Sequence, residues 1–151
     1  MITQLDNIPE NVIRLSYYLH QIDNDFGIPL SHKTELNAYA SKLITKGIVI
    51  VSVENNEING LLAGYNNDTV NGCAVISILS TRSDCRGRGI SRLLVDKMIE
   101  ICHMSSMKKI IVDSINPIAV SLYQSCGFKI VGQDHIEGRV CTSLCFQFDK
   151  K

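Results

Sequence analysis

Three consecutive runs of β-branched and apolar residues occupy the middle of the chain: Ile48–Val53, Ile58–Tyr65 and about Cys73–Thr81. Short polar stretches separate them, Glu54-Asn55-Asn56-Glu57 and then a turn beginning Asn66-Asn67-Asp68. Turns this short join neighbouring strands in opposite directions, so the three runs read as an antiparallel set. The flanking sequence supplies helices to cover it. Val12, Leu15, Leu19 and Ile22 recur at helical spacing with Pro9 suited to a first turn, which predicts a helix over about 9–24. Phe26-Gly27-Ile28-Pro29-Leu30 breaks that helix. Ser31 is placed to cap a second one, whose stripe is Leu36, Tyr39, Ala40 and Leu43, and Gly47 to close it in a left-handed conformation. After the strands, a helix over about Ser91–His103 carries Leu94, Met98 and Ile101 as a stripe, widened by Leu93, Val95, Ile99 and Cys102. Only Arg92, Asp96, Lys97 and Glu100 read as solvated, so this helix packs on a sheet. Ile110-Ile111-Val112 is a short buried strand, about Pro117–Cys126 a helix, and Phe128–Val131 and Val140–Phe148 the last strands. The order predicts an α+β fold with a mixed sheet, built as a single domain over residues 1–151.

Fifteen basic and fifteen acidic side chains cancel, which argues against a nucleic-acid binder, since phosphate contacts need an excess of Lys and Arg. No apolar run approaches the roughly 18 residues of a membrane span. The N-terminus, Met1-Ile2-Thr3-Gln4-Leu5-Asp6, lacks a secretory pattern, and the expectation is a cytoplasmic protein. Six cysteines, at 73, 85, 102, 126, 141 and 145, include no CxxC pair and stand near no histidine cluster. Such spacing predicts no metal site and no stapled scaffold, but reduced and mostly buried thiols.

Between the third strand and the long helix lies Arg82-Ser83-Asp84-Cys85-Arg86-Gly87-Arg88-Gly89-Ile90-Ser91. A strand, a glycine-rich loop and a helix start form a natural anion site, because the first helical N–H groups have no internal partners and the helix dipole adds positive character. Successive backbone N–H groups can line a nest around phosphate oxygens, with Arg86 and Arg88 adding charge. The loop alone also fits a solvated basic turn that caps a helix. No Gly-Lys-Ser/Thr follows, so it is not a P-loop. The preceding antiparallel strands and the missing third glycine disfavour a dinucleotide fold.

Arg86-Gly87-Arg88-Gly89-Ile90-Ser91 resembles the Gln/Arg-x-x-Gly-x-Gly/Ala signature of the GNAT superfamily of N-acetyltransferases. Thirty residues on, Asn116-Pro117-Ile118-Ala119-Val120-Ser121-Leu122-Tyr123-Gln124-Ser125-Cys126-Gly127-Phe128 resembles that family's later motif, matching at Asn116, Ala119, Tyr123, Gly127 and Phe128. The resemblance covers about residues 48–148; the first 46 match only in helical character. Ser91 stands where the signature has Gly or Ala, and Ser83 where a proline is common.

The resemblance implies a mostly antiparallel central sheet of six to seven strands flanked by about four helices and splayed between its two central strands. It implies acetyl-coenzyme A as cosubstrate, with no metal. The pantetheine arm is expected beside Leu79, Ser80 and Thr81, and the diphosphate on the N–H groups of Arg86, Gly87, Arg88, Gly89, Ile90 and Ser91. Leu79 N–H is expected to stabilise the oxyanion of a tetrahedral intermediate. Asn116 is both a helix N-cap and an expected contact to the coenzyme arm. Tyr123 is expected to reach the coenzyme sulfur and donate a proton to the leaving thiolate. Gly127 and Phe128 read as structural. The stretch Cys73–Thr81 holds no carboxylate, so the general base stays open among Glu35, His20, Asp113, His135, water and a backbone carbonyl that binds the amine. The acceptor pocket is expected from the N-terminal helices, the Phe26–Leu30 turn and the loop near Gln133–Gly138, with Phe26, Tyr39 and Tyr65 as candidate lining. A small-molecule amine is the expected acceptor, an amino sugar or an amino acid, with a protein N-terminus or lysine as the alternative. An acyl-coenzyme A sensor without transfer activity, and a nucleotide-phosphate binder, are the competing classes. No nucleic-acid or membrane partner is expected, and the chain reads as a monomer or homodimer.

Overall fold

The computed structural model describes residues 1–26 and 28–148. The chain runs β1 (Ile2–Gln4), α1 (Pro9–Ile22), α2 (Leu36–Lys46), β2 (Ile48–Glu54), β3 (Glu57–Asp68), β4 (Cys73–Thr81), α3 (Ile90–Met104), β5 (Lys109–Ser114), α4 (Pro117–Ser125), β6 (Lys129–Ile136) and β7 (Arg139–Gln147). Short 3₁₀ turns lie at Asp23–Asp25, Leu30–His32 and Ser83–Cys85. One seven-stranded sheet has the order β1-β2-β3-β4-β5-β7-β6. Its neighbours are antiparallel except β4 and β5, which are parallel. The mixed α+β sheet expected from the element order is therefore present.

Two cores sandwich the sheet. On one face Leu94, Val95, Met98 and Cys102 of α3 pack on Ile50, Leu62, Ile76, Ile110 and Leu144. Phe128 joins them between Tyr123 and Phe146, with ring centroids 5.3 and 5.4 Å away. On the other face Leu15, Tyr18, Leu19 and Ile22 of α1 and Ala40, Leu43 and Ile44 of α2 cover Val49, Val51, Leu61, Ala63 and Ile78. Strands β2 and β3 are thus buried on both sides, which is why they read as continuous apolar runs and not as alternating ones. Each fully buried leucine contributes about 1.5–3 kcal/mol relative to exposure. Leu93, included in the wide stripe of α3, is 53% exposed, because α3 meets only one face of the sheet.

Three local expectations are corrected. Glu35, not Ser31, caps α2: its carboxylate accepts from the N–H groups of Asn37 at 3.1 Å and Ala38 at 2.6 Å. Ser31 instead donates its N–H and hydroxyl to the Asp23 carboxylate, at 2.8 and 2.6 Å, and holds the α1–α2 connection. Gly47 is not left-handed, with φ −112°. Glycine is needed there for space, since a Cβ would stand 2.5 Å from the carbonyl of Gly64. The thiols are free, but only Cys85 and Cys102 are buried; the other four are half-buried. Strand β1 went unpredicted because three residues, Ile2-Thr3-Gln4, carry too little periodicity.

One irregularity shapes the centre of the sheet. Gly64 pairs with Ile76 and Ala63 with Ile78, so Ser77 is an extra residue, a β-bulge in β4. Before it, Ala74 and Ile76 face the α3 core; after it, Ile78 faces α1 and α2 while Leu79 turns to the α3 side. Gly64 makes the bulge possible: a Cβ there would lie 2.0 Å from the Val75 carbonyl. Pairing of β4 with β5 runs only from Cys73–Lys109 to Ile76–Val112. Beyond the bulge the two strands part, and a slot opens between them.

Candidate coenzyme and acceptor site

The slot is flanked by two cavities. The first, about 520 Å³, is lined by Leu79, Ser80 and Thr81 of β4, by Arg86, Gly87, Gly89, Ile90 and Ser91, and by Asn116, Ile118, Ala119 and Leu122 at α4. The second, about 480 Å³, lies toward the α1–α2 connection and the start of β7, and Tyr123, Asp113 and Asn116 line it. Leu79, Asn116, Ala119, Asp25 and Phe26 belong to both, so the cavities meet at the slot.

The orientation of the β4 backbone follows from its hydrogen bonds. Arg82 N–H donates to Asn59 C=O on β3 at 2.8 Å, whereas Thr81 C=O accepts from Arg86 Nε at 3.3 Å. In an antiparallel ladder the N–H and C=O of one residue point the same way, and the direction alternates along the strand. Ser80 therefore points its backbone groups toward β3, and Leu79 points its own into the slot, where β5 has already diverged. Two tyrosines hold this wing from the helical side. Tyr18 of α1 meets the Ser80 hydroxyl at 3.2 Å, and Tyr39 of α2 meets the hydroxyl of the bulged Ser77 at 2.7 Å. Sequence reading missed Tyr18, although it sits on the Leu15–Ile22 stripe.

The loop after β4 leaves its amides open. Gly87 and Gly89 have φ +82° and +76°, and no atom lies within 4 Å of where a Cβ would stand on either. Gly89 is the N-cap of α3 and has no side chain to satisfy the first-turn N–H groups. The first intrahelical bond runs from Leu93 N–H to Gly89 C=O at 3.2 Å, so the N–H groups of Ile90, Ser91 and Arg92 remain free for an anion. This concave, unobstructed backbone fits a diphosphate. The loop is braced from behind: Arg82 pairs with Asp84 at 2.6 Å and Glu57 at 3.2 Å, and Ser91 Oγ bonds Thr81 Oγ1 at 2.8 Å. Cys85 is buried beneath it, 3.6 Å from the amide nitrogen of Asn59.

The two loop arginines part company. Arg86 lines the first cavity and reaches Asp25 at 3.6 Å. Arg88 lines neither cavity; it turns to Glu54 at the β2–β3 hairpin, 3.0 Å away. Asn116 caps α4, its Oδ1 accepting from Ile118 N–H at 3.0 Å, so only its NH₂ remains to donate. Tyr123 is 2% exposed, and burial, with a smaller contribution from Cys126, raises its pKa well above the ordinary tyrosine value. Its hydroxyl stays protonated across the physiological range and makes no hydrogen bond among the described residues.

Of the candidate bases, the structure brings only Asp113 to a cavity. It sits on β5 and accepts from the Ser143 hydroxyl at 2.7 Å. Glu35 is occupied as a helix cap, His20 lies on the exposed side of α1 beside Ser16 C=O, and His135 lies on the outer strand β6. Phe26 lines both cavities as expected, but Tyr39 and Tyr65 pack against the helical core instead. Asp25, Lys33 and Arg139 line the second cavity and were not singled out from the sequence, because nothing local marks residues that only the fold brings together. Among the described residues no three His, Cys, Asp or Glu side chains are grouped to hold a metal. No helix among them is long and apolar enough to cross a membrane.

A parallel pair that parts beyond a bulge, a glycine-rich loop with open amides and a slot between two cavities are the features that the sequence resemblance implies. Residues 17–128 match the sequence profile of the acetyltransferase (GNAT) family, and the chain belongs to that family, whose cosubstrate is acetyl-coenzyme A. The sequence matches none of the curated proteins. Among solved structures it is similar to an aminoglycoside 6'-N-acetyltransferase complexed with coenzyme A (TM-score 0.81, 13% identity, covering 100% of this chain and 98% of that one). It is similar to the aminoglycoside 6'-N-acetyltransferase from Enterococcus faecium (0.79, 14%, 100% and 98%). A ribosomal-protein-alanine N-acetyltransferase from Brucella melitensis is a further likeness (0.77, 16%, 98% and 99%). At these identities the likeness establishes the fold.

Proposed function

We propose that the chain, acting as one catalytic domain, transfers an acetyl group from acetyl-coenzyme A to a primary amine of a small molecule by direct attack. The observation that carries this reading is that Leu79, whose amide faces the slot, lies where the two cavities meet, while Tyr123 and Asp113 both line the second of them. The coenzyme takes the first cavity, its diphosphate on the amides of residues 87–91 beside Arg86 and its arm along Leu79–Thr81. Arg88 contributes a main-chain amide and long-range charge only. The amine enters from the second cavity.

The neutral amine nitrogen attacks the thioester carbon; a C–N bond forms and the carbonyl pair moves to oxygen. Leu79 N–H stabilises that oxyanion, and one such donor is typically worth about 10²–10³ in rate. When the carbonyl re-forms, the C–S bond breaks and sulfur leaves with the electron pair. Tyr123 O–H donates to it. The proton shed by the amine passes to Asp113 directly or through water, and the tyrosine regains its proton from solvent. The similar fold of two aminoglycoside acetyltransferases supports an amine of small-molecule size. An acceptor screen with acetyl-coenzyme A, read by release of the free thiol, tests the reading. Turnover on at least one amine is expected, and tight coenzyme binding without turnover on any amine would establish a sensor module instead.

A further inference from the structure

Four charged side chains line the cavity assigned to the acceptor: Asp25, Lys33, Asp113 and Arg139. They are not equally available. Asp25 is engaged by Arg86 at 3.6 Å, and Asp113 is held by Ser143. Lys33 ends the 3₁₀ turn at Leu30–His32, and Arg139 opens β7. Among the described residues neither makes an ion pair or a side-chain hydrogen bond, and both are exposed at the rim. The unspent charge of the chamber is therefore two cations against a single carboxylate without a cationic partner, all three on exposed residues.

We infer that the acceptor carries an anionic group, a carboxylate or phosphate, which Lys33 and Arg139 hold while the amine reaches toward Asp113 and the slot. This rests on the acetyl-transfer reading and narrows it: the charge pattern fits an amino acid or phosphorylated amine and repels a polycation. Arg139 offers a planar fork suited to either anion, Lys33 a mobile point charge. An acceptor with several ammonium groups would meet two like charges at the rim, with one free carboxylate to offset them. The aromatic and aliphatic wall from Phe26, Ile28 and Leu30 leaves room for an apolar body between the two ends.

The test compares matched acceptors on the intact protein: leucine against leucinamide, phosphoethanolamine against ethanolamine, and spermidine alone. The amide and uncharged members have the less basic amine of each pair and hold more neutral nucleophile at a given pH, so intrinsic reactivity works against the predicted preference. The expected result is kcat/KM about tenfold or more in favour of the anionic member of at least one pair, with spermidine poorest. Lys33→Ala and Arg139→Ala sit on exposed positions and should fold. Together they should remove about tenfold from the anionic acceptor, as expected for two exposed charge contacts. They should leave the neutral partner and acetyl-coenzyme A affinity unchanged. Equal use of both members, preference for spermidine, or variants that lower both members alike would overturn the inference while leaving acetyl transfer in place. Absence of acetyl-coenzyme A binding would overturn the functional reading and the inference with it.

Discussion

At the residue scale, the chemistry hangs on a few groups whose surroundings differ sharply. Tyr123 was legible from its motif position, but its burial, and the raised pKa that burial causes, emerge only once α4 packs its ring into the core beside Phe128. Replacing it with phenylalanine keeps the packing and removes the donor. Turnover should fall by about 10²-fold or more while acetyl-coenzyme A affinity holds, measured by steady-state kinetics and calorimetry; an unchanged kcat would remove Tyr123 from the reaction. Tyr18 has a different duty. Burial, only partly offset by the bond to Ser80, raises its pKa from 10.0 to about 12. A tyrosine ionises to a charged form, so a raised folded value leaves its stabilising contribution intact below about pH 10 and lost as pH climbs through about 12. Tyr39, Tyr65 and Tyr123 shift the same way. The melting temperature should therefore drop steeply above about pH 10. Tyr18→Phe should melt earlier at neutral pH yet lose less over that alkaline interval. Asp113 lay among the candidate bases in the sequence, but nothing in one dimension separates it from Glu35, which the fold spends on capping α2.

At the scale of elements, β4, its loop and α3 were readable nearly to the residue, because a strand, a glycine-rich turn and an apolar helix each have strong local signatures. Gly89→Glu should abolish coenzyme binding. The open space around its Cβ means the damage comes from forcing φ +76° on a side chain and from carboxylate–phosphate repulsion, not from a clash. A thermal-shift titration with acetyl-coenzyme A checks this, and a normal shift would relocate the diphosphate. Gly64 carries no signal in sequence. Its need is set by a carbonyl from the neighbouring strand, 2.0 Å from a Cβ that is not there. Gly64→Ala should destabilise by about 2 kcal/mol or more in chemical denaturation and weaken coenzyme binding as well, since relief of the contact must disturb the bulge at Ser77. Loss of stability with coenzyme affinity intact would show that the bulge and slot are independent. The outer strand β6 was underestimated for the opposite reason: all eight residues are exposed, so no burial pattern marks where it ends.

At the scale of the whole molecule, the fold class followed from element order, whereas the acceptor chamber did not. Its walls come from the α1–α2 connection, β4, β5, α4 and β7, segments as far apart in sequence as Asp25 and Arg139. Charge balance along the chain sums to zero and says nothing about how the charges are shared among surfaces. The pairing of Asp25 with Arg86 could only be seen once the chain had folded back on itself.

The extra residue at Ser77, with its tyrosine struts, parts two strands using contacts internal to the chain. Capture of the coenzyme then asks for no prior unzipping, and its association should behave as a simple collision. In stopped-flow mixing the observed rate should climb in proportion to coenzyme concentration, fall with added salt as screening weakens steering, and show no plateau from a slow opening step. A plateau would mean the two strands spend most of their time closed, and that the groove is something the ligand must wait for.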